Sequence, residues 1–362
     1  MKRENTYSPV SNLFSKQLNL SDFGFEKPAL KKINEINKDI KPNKLLKFIK
    51  YVFKYSKIVL NKYSNHFSKH DFTQPALFTL LAVKIYTRST YRQITDLLEL
   101  SDKIQKYLHL KKVPHYTTLQ KFFQRLPTSI LQELNKQIIL NHQINGEIIA
   151  LDGSGFTNDY ADKYYAIIRR KERKSYVKNH ISIDVDSRLI LHFAAQRGPR
   201  FDTRFAIAAI RNITKYNPKY ILADRVYDTE PIRKCINEEV KAEDQIPLKT
   251  RAKTGHYRLK SKNKFNQEIY SRRNNVESIF SVIKRIFNGT NRSRSLRLSN
   301  KETKLKNTIY NIYRLTQIQW KLGFLQSLKN KIWEHVLIRQ KSWILMLMKN
   351  FNRLKNNKIN TI

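Results

Sequence analysis

Three acidic residues stand where carboxylates could act together on a metal ion and a phosphate. Asp152 follows the apolar run 148–151, and Asp224 follows the apolar run 220–223. Both runs predict buried strands with an acid at the C-terminal tip, where α/β sheets bind ligands. Glu277 lies further along, in a segment with helical periodicity. Hard divalent cations prefer carboxylate oxygens, and two such ions can hold the attacking and the leaving oxygen of a phosphoryl transfer. The three acids together therefore predict a divalent-metal site that could handle phosphates, whereas each aspartate taken alone could be a turn residue at the end of its strand.

The segment around Glu277, from Tyr270 to Lys284, is predicted to form one continuous helix. On a helical wheel, Arg273, Glu277 and Lys284 fall within roughly 60° of one another, beside an apolar stripe. The stripe consists of Val276, Ile279, Phe280, Ile283 and Phe287. A carboxylate between two cations at the border of a core suits a phosphate and metal site. The alternative is a surface helix with an ordinary ion pair between Arg273 and Glu277.

The charge of the chain predicts a polyanionic partner. Lys and Arg number 70 among the 362 residues, Asp and Glu 29, and the formal net charge is +41. Nucleic acid is the first candidate. A membrane surface is disfavoured, because the basic residues are spread along the chain and not concentrated in one helix. The single Cys235 excludes an intrachain disulfide and a cysteine-based zinc site. With no apolar leader at the N-terminus, we expect a soluble, cytoplasmic protein without membrane contact.

Changes in composition and in hydrophobic periodicity along the chain predict four regions. Residues 1–40 are expected to be a polar arm, 41–145 a helical DNA-binding domain, 146–315 a catalytic domain and 316–362 a basic helical tail. Within 146–315 we expect a strand, a hairpin turning at Ser187-Arg188, a helix over 202–213, the strand before Asp224, a helix over 229–238 and a short strand over 245–248. This order predicts an α/β fold with a mixed sheet and helices on its faces.

The N-terminal region is predicted to be a series of short helices. Helical periodicity covers 43–62, a helix opens at Pro75, and two shorter helices follow over 90–98 and 101–108. A further helix, capped by Thr117 or Thr118, is expected to run to Leu126. Such helices are compatible with a helix-turn-helix. The last one exposes side chains that can contact base edges and phosphates, namely Gln120, Lys121, Gln124 and Arg125.

Together these motifs resemble those of insertion-sequence DDE transposases. The pattern Y-x(2)-R-x(3)-E-x(6)-K, starting at Tyr270, is complete. Asp152 lies in I-A-L-D-G-S and Asp224 in I-L-A-D-R-V-Y-D, and the likeness covers roughly residues 75–315. The resemblance implies an RNase H-like catalytic core, two Mg²⁺ or Mn²⁺ ions, and cleavage and transfer of DNA strands at terminal inverted repeats. It also implies double-stranded DNA, both element ends and target, as partner, and a homodimer or larger assembly on DNA, associated with the nucleoid of a prokaryotic cell.

The resemblance also implies roles for the residues of the motifs. Asp152, Asp224 and Glu277 would be catalytic and hold the metals. Lys284 and Arg273 would contact phosphate near the scissile bond, with Tyr270 packing or bonding beside it. Two alternatives stay open at this point, since Arg273 could instead orient Glu277, and Asp228 could replace Asp224 as the second acid.

Two other functions compete with an active transposase. One is a catalytically inactive, transposase-derived protein that binds DNA without cutting it, against which the intact acids argue. The other is a basic RNA-binding protein, which predicts aromatic platforms or arginine-rich arms, not acids at strand ends.

Overall fold

The structure, a computed structural model, describes residues 43–142, 144–158, 176–198, 201–250 and 254–318. The predicted N-terminal arm and the predicted tail from residue 319 onward lie outside these residues, and the domain boundaries stay predictions. From residue 48 onward, the described residues belong to one compact unit. Within the described part of the chain, no helix is long and apolar enough to cross a membrane.

The N-terminal region is helical, as predicted. Its helices are α1 (Lys44–Val59), α2 (Gln74–Tyr86), α3 (Tyr91–Glu99), α4 (Asp102–Tyr107), α5 (Tyr116–Arg125) and α6 (Thr128–Leu140). Local sequence explains two of the starts. The Thr73 hydroxyl accepts from the Ala76 N–H, with Pro75 in the first turn of α2. A capping box between Thr90 and Gln93 opens α3.

Two predictions for this region need correction. α5 begins after His115, so neither Thr117 nor Thr118 is its N-cap, and no side chain caps it. The threonines lie inside the first turn because the preceding extended residue, which sets the cap position, is His115. α6 was not predicted, since Pro127 directly before it resembles a linker, although proline suits the start of a helix.

A mixed sheet forms the second half of the described chain. Its strands are β1 (Ile148–Asn158), β2 (Tyr176–Asp184), β3 (Ile190–Arg197), β4 (Tyr220–Leu222), β5 (Glu243–Gln245) and β6 (Thr290–Asn291). The order is β3-β2-β1-β4-β5, with β6 pairing with the far end of β1. β1, β2 and β3 are antiparallel, whereas β4 and β5 run parallel to β1. The predicted fold class, an α/β protein with an RNase H-like mixed sheet, is confirmed.

Helices cover both faces of the sheet. Ile149 and Leu151 of β1 pack against α7 (Thr203–Ile213) and the α8 region (Glu230–Lys234, continued by a π-helical turn over Cys235–Val240). Alternate residues of a strand point to opposite faces. On the other face, α11 (Asn274–Phe287) packs against β1, and Asn307 of a helix over 296–318, here α12, bonds Asn179 of β2.

The continuous helix predicted over Tyr270–Lys284 is wrong. The segment is divided into α10 (Gln267–Ser271) and α11, with a tight turn at Arg272-Arg273. In this turn the N–H of Arg273 donates to the carbonyl of Tyr270, three residues back, instead of four. Two successive asparagines, residues 274 and 275, are poor helix formers and open α11 in place of a continuing helix. The apolar stripe is confirmed, because all five of its residues are buried.

Two strand boundaries also differ from prediction. β1 does not end at Asp152 but continues for six residues to Asn158, because β2 pairs with it along this whole extension. The last predicted strand, 245–248, is instead β5 over Glu243–Gln245. Pro247 has no N–H to donate to a neighbouring strand, so the pairing ends before it.

Candidate active site

The register of two parallel strands brings the first two acids to the same level of the sheet. Ala150 of β1 pairs with Leu222 of β4. Asp152 and Asp224 each follow that pair by two residues, so both lie just beyond the last paired rung. β4 ends there and the chain turns away at Asp224, whose carboxylate accepts from the N–H of Arg225 at 2.5 Å. The site thus lies at the carboxyl end of β4, beside the middle of β1.

Asp152 is held by its surroundings as well as by the sheet. Its side chain is 20% exposed. Its Oδ1 accepts from the N–H of Gly153 at 2.7 Å. Burial raises the pKa of Asp152, the Gly153 bond and Arg273 oppose this, and the like charges of Asp202 and Asp224 raise it further. The net pKa lies above the ordinary value, chiefly because the carboxyl group is buried.

Arg273 links the first acid to the third. Its Nη1 donates to Asp152 Oδ2 at 3.2 Å, and its Nη2 donates to Glu277 Oε1 at 2.7 Å. The arginine is 14% exposed, whereas the Glu277 side chain is 58% exposed. The tight turn before α11 positions Arg273 for both contacts, because Glu277 lies one helical turn further along. The ion pair anticipated between Arg273 and Glu277 is therefore present, with Asp152 as an additional partner.

Lys284 contacts β1 two residues beyond Asp152. Its Nζ donates to Ser154 Oγ at 2.7 Å and lies 5.5 Å from the centre of the Phe156 ring. Asp152, Ser154 and Phe156 alternate along β1, so they share the face that α11 covers. Burial lowers the pKa of Lys284, and Lys178 lowers it further. Tyr270, which was predicted to act beside Arg273 and Lys284, lies on α10, and the centre of its ring is 5.4 Å from that of Phe265.

Two buried rings lie behind the acids. The Tyr227 hydroxyl and His180 Nε2 share a hydrogen bond of 2.8 Å, and His180 stacks on Phe205 of α7. Burial raises the pKa of Tyr227 well above its usual range, and Asp202, Asp152 and Asp224 add to this. Burial lowers the pKa of His180 to about 3, so its ring is neutral at pH 7. Both rings are structural supports beneath the carboxylates.

Sequence reasoning missed a mostly buried ion pair that lies against Gly153, the residue after Asp152. Asp202, at the start of α7, accepts from Lys178 Nζ of β2 at 2.9 Å, and both side chains are mostly buried. The signal that could have revealed them is Gly153, because a glycine inside a strand often marks a close approach by another group. Its partner was hidden, since an aspartate at the first residue of a helix reads as an ordinary cap.

Asp228 lies in a different environment from Asp224. It is fully buried, and Arg233, Arg258 and the N–H of Lys249 all donate to its carboxylate. Burial raises its pKa, but these donors outweigh burial and the net pKa lies below the ordinary value. Arg233, itself fully buried, also pairs with Asp244. Asp228 is thus the centre of a buried ion network that ties the α8 region to α9 (His256–Lys262).

The four side chains predicted to contact DNA bases lie on α5. Gln120, Lys121, Gln124 and Arg125 are all exposed, while Leu119, Phe122 and Phe123 of the same helix are buried. Among the described hydrogen bonds and ion pairs, none joins these four side chains to the carboxylates. α5 is nevertheless attached to the catalytic region. Lys301 Nζ of α12 donates to the carbonyls of Phe123, Gln124 and Leu126 at 3.0, 3.1 and 2.7 Å.

The donor set suits a hard divalent cation, although the carboxylates are not gathered into a cage. Asp152 and Asp224 offer oxygen ligands at one level of the sheet, and Mg²⁺ completes its shell with water and phosphate. Within the described residues, no three His, Cys, Asp or Glu side chains are close enough together to hold a metal. The Arg273 guanidinium stands between Asp152 and Glu277. By their chemistry the two aspartates suit a cation, whereas Glu277 is paired with Arg273.

Comparison with known proteins finds a matching family model for part of the chain and a similar solved structure. Residues 145–312 match the family model described as a transposase DDE domain. Among solved structures, a cryo-EM structure of a piggyBac transposase synaptic complex with hairpin DNA is similar, at 11% sequence identity and a TM-score of 0.41, over 76% of this chain and 75% of that one. None of the curated proteins compared with the sequence matches it.

Proposed function

We propose that this chain, whose residues 145–312 match the family model described as a transposase DDE domain, is a transposase that binds the terminal inverted repeats of an insertion sequence and cleaves and transfers DNA strands. The observation that carries the proposal is the shared register of Asp152 and Asp224 on parallel neighbouring strands, with Arg273 tying Glu277 to the same point. Together they form one acidic centre in a chain of net charge +41.

The cofactor in this proposal is Mg²⁺ or Mn²⁺, as two ions. Asp152 and Asp224 would hold them from the sheet, and Glu277 would complete the ligand set from α11. When bound, the cations stabilise the charge that develops on the phosphate oxygens during an in-line displacement. Asp228 is the weaker candidate for the second acid, since its oxygens already accept from two buried or half-buried arginines.

The reaction consists of two displacements at phosphorus. In the first, a water oxygen bonds to phosphorus and the bond to the 3′ oxygen breaks, which leaves a 3′ hydroxyl and a 5′ phosphate. In the second, that hydroxyl forms an ester with a target phosphate and displaces a target 3′ oxygen. Lys284 and Arg273, on the face of β1 that carries Asp152, are positioned to donate to phosphate oxygens. Arg273 also orients Glu277 before DNA arrives.

The basic surface supplies affinity, and α5 is the proposed reader of the repeat. Phosphate contacts by Lys and Arg are independent of sequence, whereas glutamines and arginines that reach base edges confer specificity. Gln120, Gln124 and Arg125 are exposed for such contacts, with Lys121 available for phosphate. Pairing two element ends requires at least two subunits, so we propose a homodimer or larger assembly on DNA.

The second candidate is a transposase-derived protein that binds DNA without cutting it. One observation favours it, namely that Arg273 occupies the space between Asp152 and Glu277 in which carboxylates would have to converge. If the arginine does not yield to a cation and DNA, the site cannot assemble.

The test uses purified full-length protein and a labelled duplex that carries the DNA flanking its gene. We expect Mg²⁺ or Mn²⁺ to produce nicks at a defined end, and Glu277→Gln to abolish them while binding stays within a few-fold. Glu239→Gln is the matched control, because Glu239 pairs with Arg211 at the surface and is absent from the site. Binding without nicking under either metal would favour the second candidate. Nicking that survives Glu277→Gln would remove Glu277 from the proposed triad.

A further inference from the structure

A small pocket lies where the end of α2 meets β6, away from the three proposed acids. Its charged lining consists of Lys84, Arg88, Arg292 and Glu302, and the hydroxyl residues Ser89 and Thr290 lie beside them. The cavity has a volume of about 20 Å³, which is enough for one oxygen atom of the size of a water. The pocket is therefore large enough to admit a single polar atom from outside.

Lys84 lines this pocket without an ion partner. The residue is only 8% exposed. Its Nζ lies 4.5 Å from the centre of the Tyr91 ring, and among the described hydrogen bonds and ion pairs none involves this nitrogen. Burial lowers the pKa of Lys84, Glu302 opposes this effect and Arg292 adds to it. A buried ammonium group without an acceptor is costly, so it calls for an acceptor that enters the pocket.

The acid in the lining, Glu302, is already engaged by other donors. Its Oε1 accepts from the N–H of Arg292 at 3.2 Å and lies 3.5 Å from Lys306 Nζ. Its Oε2 accepts from the N–H and the Oγ of Ser293, at 3.0 and 2.6 Å. Lys306, which is also buried, balances the charge of Glu302. The charge of Lys84 is therefore left without a matching acid.

Two exposed arginines stand at the opening of the pocket. Arg88 Nε donates to the carbonyl of Ile286 at 3.0 Å, and Arg292 Nη1 donates to the carbonyl of Arg88 at 2.9 Å. Neither guanidinium belongs to an ion pair among the described residues. Each carries five N–H donors, so one carbonyl bond fixes the group and leaves the others available. Planar donors of this kind match the oxygens of a phosphate.

We propose that Lys84, Arg88 and Arg292 form a phosphate site, in which one oxygen of a DNA backbone phosphate enters the pocket and accepts from Lys84, while the arginines donate to the other oxygens. This inference rests on the proposed function and adds a DNA contact outside its carboxylates. Three cations at one opening favour an oxyanion, and the size of the cavity favours a phosphate that inserts one oxygen over a ligand enclosed as a whole.

The sheet relates this phosphate site to the acids. Thr290, which lines the pocket, pairs with Thr157 of β1, and their hydroxyls are 2.9 Å apart. Thr157 lies five residues beyond Asp152 on the same strand, or roughly 17 Å along it. Duplex DNA rises about 3.4 Å per base pair. For DNA that follows β1, the bound phosphate is expected about five base pairs from the scissile bond.

The first test measures how salt weakens binding of full-length protein to the labelled duplex that carries the DNA flanking its gene, with metal chelated to prevent cleavage. Loss of one phosphate contact should reduce the slope of log K against log salt by about 0.9 and weaken binding roughly tenfold at about 0.1 M salt. We expect both effects for Lys84→Met and for Arg292→Met. Arg211→Met is the matched control, because Arg211 pairs with Glu239 on the other face of the sheet from α11.

Unfolding in urea separates a lost DNA contact from a damaged fold. Lys84→Met should be at least as stable as the wild type, because an apolar side chain of similar length replaces a buried charge without an ion partner. Arg88 has a φ of 55° directly after Thr87, the C-cap of α2, where glycine is the favoured residue. Arg88→Gly should therefore stay folded and still weaken DNA binding, so it tests the phosphate site even if Lys84→Met fails to fold.

The second test replaces single phosphates of the duplex by uncharged methylphosphonates. In the wild type, one replacement about five base pairs from the nick should weaken binding, and in Lys84→Met the same replacement should have no further effect. Replacements that weaken both proteins equally at every position would overturn the inference. Competition by inorganic phosphate that Lys84→Met abolishes, without any such coupling to the duplex, would assign the pocket to the free anion and also overturn its role in DNA binding.

The outcomes distinguish this inference from the proposed function. Wild-type affinity and salt slope in Lys84→Met, Arg88→Gly and Arg292→Met would mean that water alone fills the pocket. Metal-dependent nicking at a defined end would then leave the proposed function intact. Failure of the wild type to bind the duplex would refute the proposed function, and the phosphate site with it.

Discussion

Arg273 contacts two carboxylates, those of Asp152 and Glu277. The hydrogen-bond lengths predict that the contact with Glu277 is the stronger one, whereas the burial of the side chains predicts the reverse. The bond to Glu277 is the shorter, at 2.7 Å against 3.2 Å for Asp152. Yet the Glu277 side chain is 58% exposed, whereas that of Asp152 is 20% exposed. Exposed pairs one helical turn apart contribute about 0.3–0.5 kcal/mol, because water screens them. A hydrogen bond to a charged group that is partly buried contributes about 1.5–3 kcal/mol.

Double-mutant cycles can measure both couplings. We would determine the free energy of unfolding in urea for the wild type, Arg273→Met, Asp152→Asn, Glu277→Gln and the two double variants that contain Arg273→Met. We expect a coupling of about 1–2 kcal/mol between Arg273 and Asp152, reduced from the full range by the remaining exposure of both groups. The coupling between Arg273 and Glu277 should be below about 0.5 kcal/mol. Neutralising Asp152 also relieves its repulsion with the other acids, and the double-mutant cycle subtracts this effect from the coupling energy.

Salt provides an internal control for this prediction. Raising the ionic strength to about 1 M shortens the screening length to about 3 Å, which should weaken the exposed contact with Glu277 more than the one with Asp152. A Glu277 coupling equal to or larger than that of Asp152, at low salt, would refute the reasoning that burial and not bond length sets the strength. Unequal denaturant slopes among the variants would show that their unfolded states differ, and the cycle would then have to be repeated by thermal unfolding.

Two further predictions concern supports of the site. His180 has a pKa of about 3 in the folded protein and about 6.5 in the unfolded chain. As the pH falls, the unfolded chain therefore binds a proton before the folded protein does. The free energy of unfolding should then fall by about 1.4 kcal/mol per pH unit below about pH 6. His180→Gln should flatten this slope in urea titrations between pH 7 and 4.5, and parallel slopes would contradict the assignment. Lys301→Met removes the Nζ donor from three carbonyls at the end of α5, although Arg297 still donates to that of Gln124. The substitution should cost about 2–4 kcal/mol of unfolding free energy, against little change for the exposed Lys121→Met. Amide exchange should also accelerate in α5, and unchanged exchange there would show that Lys301 does not fasten the helix.

Hydrophobic patterns were sufficient to predict which strands Asp152 and Asp224 follow, but not the residues and structure that surround these acids. The apolar runs before Asp152 and Asp224 mark true strands, and parallel pairing then sets both acids at one level. The stripe on α11 was predictable because burial of one helical face is a local, periodic property. The continuation of β1 past Asp152 was not, since Gly153 and Gly155 weaken a strand pattern that only pairing with β2 reveals.

The ion pair of Asp202 and Lys178 was not predicted, because its position depends on contacts between residues that are distant in the sequence. Asp202 and Gly153 are 49 positions apart in the sequence, so no local pattern can predict their contact. The turn at Arg273 was missed for a different reason. A two-residue change from four-residue to three-residue hydrogen bonds leaves the apolar periodicity intact, so the hydrophobic pattern cannot detect it.

The balance of charge explains how so many carboxylates can share one place. Three acids are proposed for the site, Asp152, Asp224 and Glu277, and Asp202 pairs with Lys178 next to Gly153. With Arg273 and Lys284, four negative charges stand with three positive ones and the local sum is −1. Without those cations the acids would repel one another more strongly, which would add to the rise that burial already causes in the pKa of Asp152. The same cations therefore stabilise the fold, and under the proposed function they would also contact phosphate oxygens of DNA. Substituting any of them is then expected to alter stability and DNA binding together, so a loss of cleavage alone cannot assign a role to a basic residue here, whereas paired measurements of unfolding and binding can.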